Sequence, residues 1–149
     1  GNLNQALLSQ LNALPFYAVS GAKSLGRESI DQVFIPLLDQ AGLSPKDCLR
    51  TLVEHFAIQI AALIRTHASK ATPSVLLTGG GAYNRYFVER LDHHLNQNWV
   101  QVEASKELIE FKEALIFAFL GVLKLRGEAN ALASVTGAAR DSSGGIVFG

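Results

Sequence analysis

The feature that most constrains the fold is a strand–helix–strand–helix succession in the second half of the chain. Residues 74–78 form a short apolar run, a helical pattern covers about 84–95, and a second strand pattern covers 99–102. A strand–helix–strand unit places its strands in parallel, with a right-handed crossover. The sequence therefore predicts an α/β fold that is mainly helical with a short parallel sheet. Two such strands make a poor sheet alone, because parallel strands need neighbours and cover on both faces.

Three helices are predicted before this unit. The first covers 2–14, and the second covers 29–40 with a kink at Pro36. The third and longest begins at Ser44, which is followed by a proline at the first helical position, and runs to about Ser69. Helical spacing predicts an inward face of Leu49, Leu52, Val53, Phe56, Ile60, Leu63 and Ile64, and an outward face with Arg50, Glu54 and Arg65.

The last helix is predicted over about 105–126. Glutamates occupy its first turns, and Lys124 and Arg126 precede Gly127, which is the charge order and end that a helix favours. Its middle is apolar on every side, so it is expected to be buried in the core. Residues 133–149 are rich in Gly, Ser and Ala and predict a loop-rich tail. At 149 residues the whole chain, 1–149, is expected to be one domain or a fragment.

The composition argues against several classes of partner. Thirteen basic and thirteen acidic residues cancel, so no nucleic-acid or anionic-membrane partner is expected. The longest uncharged apolar run, 114–123, is far shorter than the roughly 20 residues that span a bilayer. The single cysteine, Cys48, cannot form an internal disulfide, which fits a cytoplasmic setting. No metal site on protein ligands is predicted, since His93 and His94 are neighbours that point apart on a helix.

The most informative motif is a triple glycine between the first predicted strand and the helix after it. Gly79, Gly80 and Gly81 would let a ligand approach the backbone closely, and Asn84 stands at the start of the helix. A helix start offers unpaired N–H groups that suit a phosphate. A tight strand-to-helix turn without a ligand explains the pattern equally well. Neither the Walker lysine loop nor the spaced dinucleotide fingerprint is present.

A small cationic loop precedes the second helix. Lys23, Ser24 and Arg27 are candidates for phosphate or carboxylate recognition, with Arg27 able to bind in a bidentate manner. The alternative is a solvated loop in which Arg27 pairs with Glu28 or Asp31, and the residues alone favour it.

Carboxylates on the last helix are a third candidate. Glu110 and Glu113 lie one turn apart on one face, so both would reach the same space. A carboxylate there would orient a sugar hydroxyl or a water. The alternative is complementation of the helix dipole, which is the preferred explanation for Glu107.

Five motifs in this order resemble the C-terminal half of the anhydro-N-acetylmuramic acid kinases. The resemblance covers about residue 7 to the end of the chain. The motifs are 16–17 (FY), 23–28 (KSLGRE), 77–84 (LTGGGAYN), 111–118 (FKEALIFA) and 134–138 (SVTGA).

The resemblance implies the superfamily of sugar kinases, actin and heat-shock-chaperone ATPases, in which two α/β lobes close over ATP. It implies opening of the 1,6-anhydro bond of the sugar by water, with transfer of the ATP γ-phosphate to the 6-oxygen. Mg²⁺ accompanies the nucleotide, and an aspartate is the base. By motif, Gly79, Gly80, Gly81 and Asn84 resemble the adenosine-side turn, and Glu113 the sugar-facing carboxylate. Lys23, Ser24 and Arg27 resemble a loop with a nucleotide-side or interlobe role.

Two departures from the family pattern bear on function. Members of the family it resembles usually have aspartate where this chain has Glu110, one methylene longer. The phosphate loop, the first three strands of the second lobe and the catalytic aspartate have no counterpart and are expected before residue 1. The chain is therefore interpreted as a C-terminal portion that is incomplete alone. The alternative is a non-catalytic interaction module, an actin-like remnant that forms a homodimer.

Overall fold

The computed structural model describes residues 1–21, 23–69 and 72–148, and its elements follow the predicted order. These residues form eight α-helices, a π-helical turn, a 3₁₀ turn and two strands. In chain order the elements are α1 (Gln5–Asn12), α2 (Pro15–Ala18), α3 (Arg27–Ser29), the π turn (Ile30–Phe34), α4 (Ile35–Ala41), α5 (Pro45–His67), β1 (Ser74–Leu76), the 3₁₀ turn (Gly80–Tyr83), α6 (Arg85–His94), β2 (Val100–Val102), α7 (Lys106–Leu125) and α8 (Ala133–Thr136).

The two strands pair in parallel, as predicted. Ser74 lies opposite Val100 and Leu76 opposite Val102. The α/β class, mostly helical with a short parallel sheet, is therefore confirmed. Across the described ranges, no helix has both the length and the apolar character needed to cross a bilayer.

The second predicted helix is interrupted just before its proline. The Ile35 N–H donates to the Ile30 carbonyl, five residues back, and residues Ile30–Phe34 form a π turn. Pro36 has no N–H to donate to the carbonyl four residues before it, so the regular α ladder cannot pass through this point. The helix then resumes as α4 and ends at Gly42, whose φ of 58° is left-handed.

Two small apolar clusters form the core. The first joins α1 to the π turn through Leu7, Leu11 and Phe34. The second joins α5 to α6 through Ala61 and Leu91, and its partly buried neighbours include residues from the sheet region, such as Leu77 and Trp99. Burial of each large side chain contributes about 1.5–3 kcal/mol.

The predicted inward face of α5 is wrong for a large part of its length. Leu49 is 63% exposed and Leu63 53% exposed, whereas Glu54 is only 4% exposed and His55 is fully buried. Helices α1 and α6 pack on the side of α5 that carries Ala57, Ala61 and these polar residues. The bulky apolar residues lie on the other side, where Leu49, Val53 and Phe56 line an open cleft.

The prediction that the last helix is buried is also wrong. Helix α7 has no buried residue, and Phe117 and Leu125 are 71% and 72% exposed. Its boundaries agree with the predicted ones, because helix ends depend on local chemistry, here the Ser105 side chain that accepts from the Leu108 N–H. Burial depends on a neighbouring layer, and the strongest contact of α7 with another element is with the 3₁₀ turn.

This difference in burial predicts a contrast between two leucines. Leu91→Ala removes a fully buried side chain and is expected to lower the free energy of unfolding by about 2–5 kcal/mol. Leu125→Ala, at an exposed site, is expected to change it by about 0.5 kcal/mol or less. Urea unfolding of both variants measures this. Equal losses would contradict the structure, because they would mean that α7 is covered in solution.

Candidate functional site

The triple-glycine segment, Gly79–Gly81, forms a turn between β1 and α6, and we call it the glycine turn. Gly79 has φ 75° and ψ 178°, a conformation that side chains rarely adopt. Its N–H donates to the Ile109 carbonyl on α7 at 3.3 Å. Glycine is therefore required at position 79 by the backbone itself.

The other two glycines have no such requirement. Gly80 and Gly81 lie outside the positive-φ region, and a Cβ added at either would meet no atom within 4 Å. Their N–H groups have no acceptor among the residues that the structure describes. The turn therefore presents two uncovered peptide N–H groups with no side chains in front of them, which is the arrangement that a closely approaching anion needs.

Asn84 caps the helix that follows the turn. Its Oδ1 accepts from the Phe87 N–H at 3.0 Å, and α6 begins at the next residue. The side-chain oxygen thus already has a structural partner.

An apolar cleft of about 500 Å³ lies on one side of the turn. Its polar members, Thr78 and Asn84, belong to the turn region, and most of the remaining wall is aliphatic or aromatic. The cleft is lined by Leu49, Leu52, Val53, Phe56, Ile60, Leu77, Thr78, Gly81, Ala82, Asn84 and Phe87. Much of the exposed apolar face of α5 therefore faces the glycine turn.

The first half of α7 lies on the other side of the turn. The Tyr83 hydroxyl donates to Glu110 Oε1 at 3.5 Å, and Lys106 Nζ lies 3.8 Å from the same oxygen. Partial desolvation, with the negative charge of Glu110, raises the pKa of Tyr83. Glu113 lies one turn further along, exposed, with no hydrogen bond or ion pair to a described residue. The structure thus separates the two glutamates: Glu110 contacts the turn region, whereas Glu113 is free to contact a ligand.

The cationic loop is engaged in contacts of its own. Lys23 Nζ donates to the carbonyls of Phe16 at 3.1 Å and Val19 at 3.2 Å. The Arg27 guanidinium donates to both carboxylate oxygens of Asp31, as in the solvated-loop alternative. Ser24 is exposed. Lys23 lines a recess with residues of α2 and the second half of α5, and the glycine turn lines the separate cleft.

Sequence reasoning missed a buried charged cluster between α5 and α6, which we call the Glu54 cluster. Arg90 donates to both carboxylate oxygens of Glu54, at 2.7 and 3.0 Å. Arg50 donates at 2.7 Å and His94 Nε2 at 2.8 Å. Burial alone would raise the pKa of Glu54, but these hydrogen bonds and the charge of Arg90 outweigh it and lower the pKa to about 2. Glu54 and Arg50 have the i, i+4 spacing of a helical ion pair, which was the available signal.

A second polar group is buried between α1, α2 and α5. Asn12 Oδ1 accepts from Gln59 at 3.0 Å and from His55 Nδ1 at 2.7 Å. His55 Nε2 therefore accepts from the Tyr17 hydroxyl, also at 2.7 Å. Burial lowers the pKa of His55 to about 4, so the ring is neutral at pH 7. Within the described ranges, no three His, Cys, Asp or Glu side chains gather in a way that could hold a metal ion.

Comparison with known proteins identifies the family of this chain. Residues 1–149 match the sequence model of the family described as anhydro-N-acetylmuramic acid kinase. The chain belongs to this family. It is 35% identical over 150 residues to the anhydro-N-acetylmuramic acid kinase of Vibrio parahaemolyticus, and 36% identical over 159 residues to that of Mannheimia succiniciproducens. These alignments cover 99% of this chain but only 40% and 42% of the relatives.

A third kinase of the family, from Variovorax paradoxus, is 36% identical over 152 residues, which are 100% of this chain and 39% of the relative. The chain thus spans about two fifths of the length of these anhydro-N-acetylmuramic acid kinases. The family resemblance seen in the five motifs is confirmed.

The glycine turn yields a prediction about stability. Gly79→Ala forces a side chain into a conformation reserved for glycine and is expected to cost about 1–3 kcal/mol of unfolding free energy. Gly80→Ala, in open space, is expected to change it by less than about 1 kcal/mol in either direction. Urea unfolding of the two variants tests this contrast. A large loss at position 80 would show that packing, not an open ligand surface, requires glycine there.

The buried histidine yields a prediction about pH. Because its folded pKa of about 4 lies below the unfolded value of 6.5, the unfolded state binds more protons between these values, and stability falls as the pH falls from 6.5 to 4. His55→Gln is expected to flatten this pH dependence. The total loss of stability that His55 causes between pH 6.5 and 4 is about 3 kcal/mol at most. The measurement is urea unfolding at pH 7.5, 6.5, 5.5 and 5.

Two features keep this measurement specific. The ionised carboxylate of Glu54 contributes stability above its unfolded pKa of 4.5, and this contribution is lost as the pH falls towards its folded pKa of about 2. The titration of Glu54 therefore lies below the pH range of the measurement. His67→Gln, at an exposed histidine on the same helix, is the matched control for the chemical change itself. An unaltered slope in His55→Gln would contradict the buried neutral histidine.

Proposed function

We propose that this chain supplies the nucleotide-side portion of an ATP-dependent anhydro-N-acetylmuramic acid kinase and is catalytically incomplete by itself. The observation that carries the proposal is the glycine turn. Two of its three glycines are not required by the local fold, and their N–H groups are uncovered. A ligand that approaches the backbone gives these positions a reason to be glycine.

The residues of the turn fit a nucleotide. The N–H groups of Gly80 and Gly81 are donors for an anionic or hydroxyl group, and Asn84 holds the start of α6 beside them. ATP, with Mg²⁺, would supply the phosphoryl group when bound. The part of this chain is to bind and orient the nucleotide, since positioning and charge stabilisation are what phosphoryl transfer requires of a protein.

The proposed reaction has two parts. Water opens the 1,6-anhydro bond of anhydro-N-acetylmuramic acid, and the γ-phosphate of ATP passes to the 6-oxygen, which yields N-acetylmuramic acid 6-phosphate and ADP in cell-wall recycling. Glu113 is proposed to orient a sugar hydroxyl. Its exposed carboxylate, with no partner among the described residues, supports this role. The reaction belongs in the cytoplasm, where Cys48 stays reduced.

Incompleteness follows from what catalysis needs. The phosphate loop and the base of such a kinase are expected outside residues 1–149, and half of a site supplies little of the rate. The exposed apolar faces of α5 and α7 support this, because a wider sheet is what would cover them. For Lys23, Ser24 and Arg27 we propose interlobe contact, since Lys23 and Arg27 already have partners that leave little of their charge for a phosphate.

A second candidate function is a non-catalytic module that forms a homodimer. The exposed side chains of α7 favour it, because a second copy would also cover them. Nucleotide dependence separates the two, because the kinase portion requires a response to nucleotide at the glycine turn. The module requires only a concentration-dependent mass, which sedimentation equilibrium measures and which is also compatible with a kinase portion.

The proposed function predicts nucleotide binding at the turn. At a concentration of ATP·Mg²⁺ one hundred times its dissociation constant, thermal unfolding is expected to show a stabilisation of about 2.7 kcal/mol. Gly80→Asp places a carboxylate against the phosphates and is expected to abolish this shift. Its melting temperature without nucleotide should equal that of the unaltered chain, because the site is open.

The same titration on a form extended upstream to the length of the relatives completes the test. A response of the extended form alone would mean that this chain contributes structure and an incomplete nucleotide site. If neither form responds to ATP·Mg²⁺, the proposal is wrong.

A further inference from the structure

We propose that Tyr83 and Glu110 are positioning residues that couple the glycine turn to α7, so that a nucleoside triphosphate at the turn fixes the helix that carries Glu113. This inference rests on the proposed function, because it takes the turn as the nucleotide site. It adds a connection between that site and the carboxylate assigned to the sugar.

Two contacts join the turn to α7, one on each side of the exposed glycines. The Gly79 N–H donates to the carbonyl of Ile109, and the Tyr83 hydroxyl donates to Glu110 Oε1. Ile109 and Glu110 are consecutive, so both contacts reach the same point of α7. Gly80 and Gly81, with their uncovered N–H groups, lie between them.

Helix α7 has few contacts with the elements that precede it. None of its residues is buried, and its strongest contact with another element is with the 3₁₀ turn that contains Tyr83. The orientation of a 20-residue helix therefore depends on a contact near its beginning. Glu113 lies three residues after Glu110, about one helical turn away. A shift of the helix at Glu110 therefore displaces Glu113 by a similar distance.

The chemistry of the pair suits this role. Glu110 pairs with Lys106 on its own helix at 3.8 Å, which leaves a carboxylate lone pair for the hydroxyl of Tyr83. The charge of Glu110 also contributes to the raised pKa of Tyr83, as a phenol that donates to a carboxylate requires. A shorter carboxylate at position 110 would fall further from the hydroxyl, which already lies at 3.5 Å. Glu110→Asp, which shortens the side chain by one methylene, thus tests whether the hydrogen bond to Tyr83 requires the length of glutamate.

The test is amide hydrogen exchange, read by peptide, with and without ATP·Mg²⁺. It is made on this chain and on the form extended to the length of the relatives. In the unaltered protein, nucleotide is expected to slow exchange both at residues 78–84 and over the first turns of α7. In Tyr83→Phe and in Glu110→Asp, the slowing at 78–84 remains, and that over α7 falls by about twofold, the factor of a hydrogen bond at the weak end of the net range.

A double variant and a matched control identify the pair as the cause. Tyr83→Phe combined with Glu110→Asp is expected to behave like either single change, because both remove the same contact. Tyr86→Phe makes the same chemical change one turn away, where the ring packs on Arg50 at 5.0 Å, and leaves the exchange pattern unaltered. In the extended kinase, Tyr83→Phe should raise the KM for the sugar more than the KM for ATP.

The outcomes separate this inference from the proposed function. Slowing at 78–84 without slowing over α7 in the unaltered protein overturns the coupling and leaves the nucleotide site standing. Additive effects in the double variant also overturn the coupling. Absence of any nucleotide-dependent slowing in both forms overturns both proposals.

Discussion

The buried charge of Glu54 organises the packing of this chain. A carboxylate that is 4% exposed persists in its ionised form because Arg50, Arg90 and His94 all donate to it. Removal of one partner from such a cluster typically costs several kcal/mol, since a buried charge is left without compensation. The cluster fixes α6 against α5, the largest interface between two elements of the described chain. Because only residues 82–84 separate the glycine turn from α6, the cluster also sets where the turn lies.

The same packing explains why the two longest helices expose so much apolar surface. Helix α5 has small and polar residues on the side that α1 and α6 cover, and bulky ones on the other. Helix α7 contacts the 3₁₀ turn near its beginning, and none of its residues is buried by the part of the chain that the structure describes. Exposed apolar surface of this kind marks a site that a partner or a further layer of the fold covers. They agree with a chain that spans two fifths of the length of its relatives.

The glycine turn combines two kinds of glycine, and the difference bears on function. Gly79 is required by its own backbone angles, whereas Gly80 and Gly81 adopt angles open to other residues and face empty space. Gly79 allows the backbone to form the turn, and the absence of side chains at Gly80 and Gly81 leaves the peptide N–H groups of the turn exposed. Tyr83 and Ile109–Glu110 then connect this surface to α7, at the two residues that directly precede the 111–118 motif.

The sequence by itself determined the local elements and the family. The N-cap at Ser44, the starts of α6 and α7 and the strand pair were predicted from local patterns and appear in the structure. The family that the five motifs resemble is the one whose model matches the chain. Only the tertiary structure decided which faces are covered. Helical periodicity shows that α5 has an apolar side, but not that Glu54 and His55 lie inside, because burial depends on the layers that are present. The tertiary structure also decided that Glu110 contacts Tyr83, whereas Glu113 has no partner among the described residues. This difference depends on where α7 meets the 3₁₀ turn.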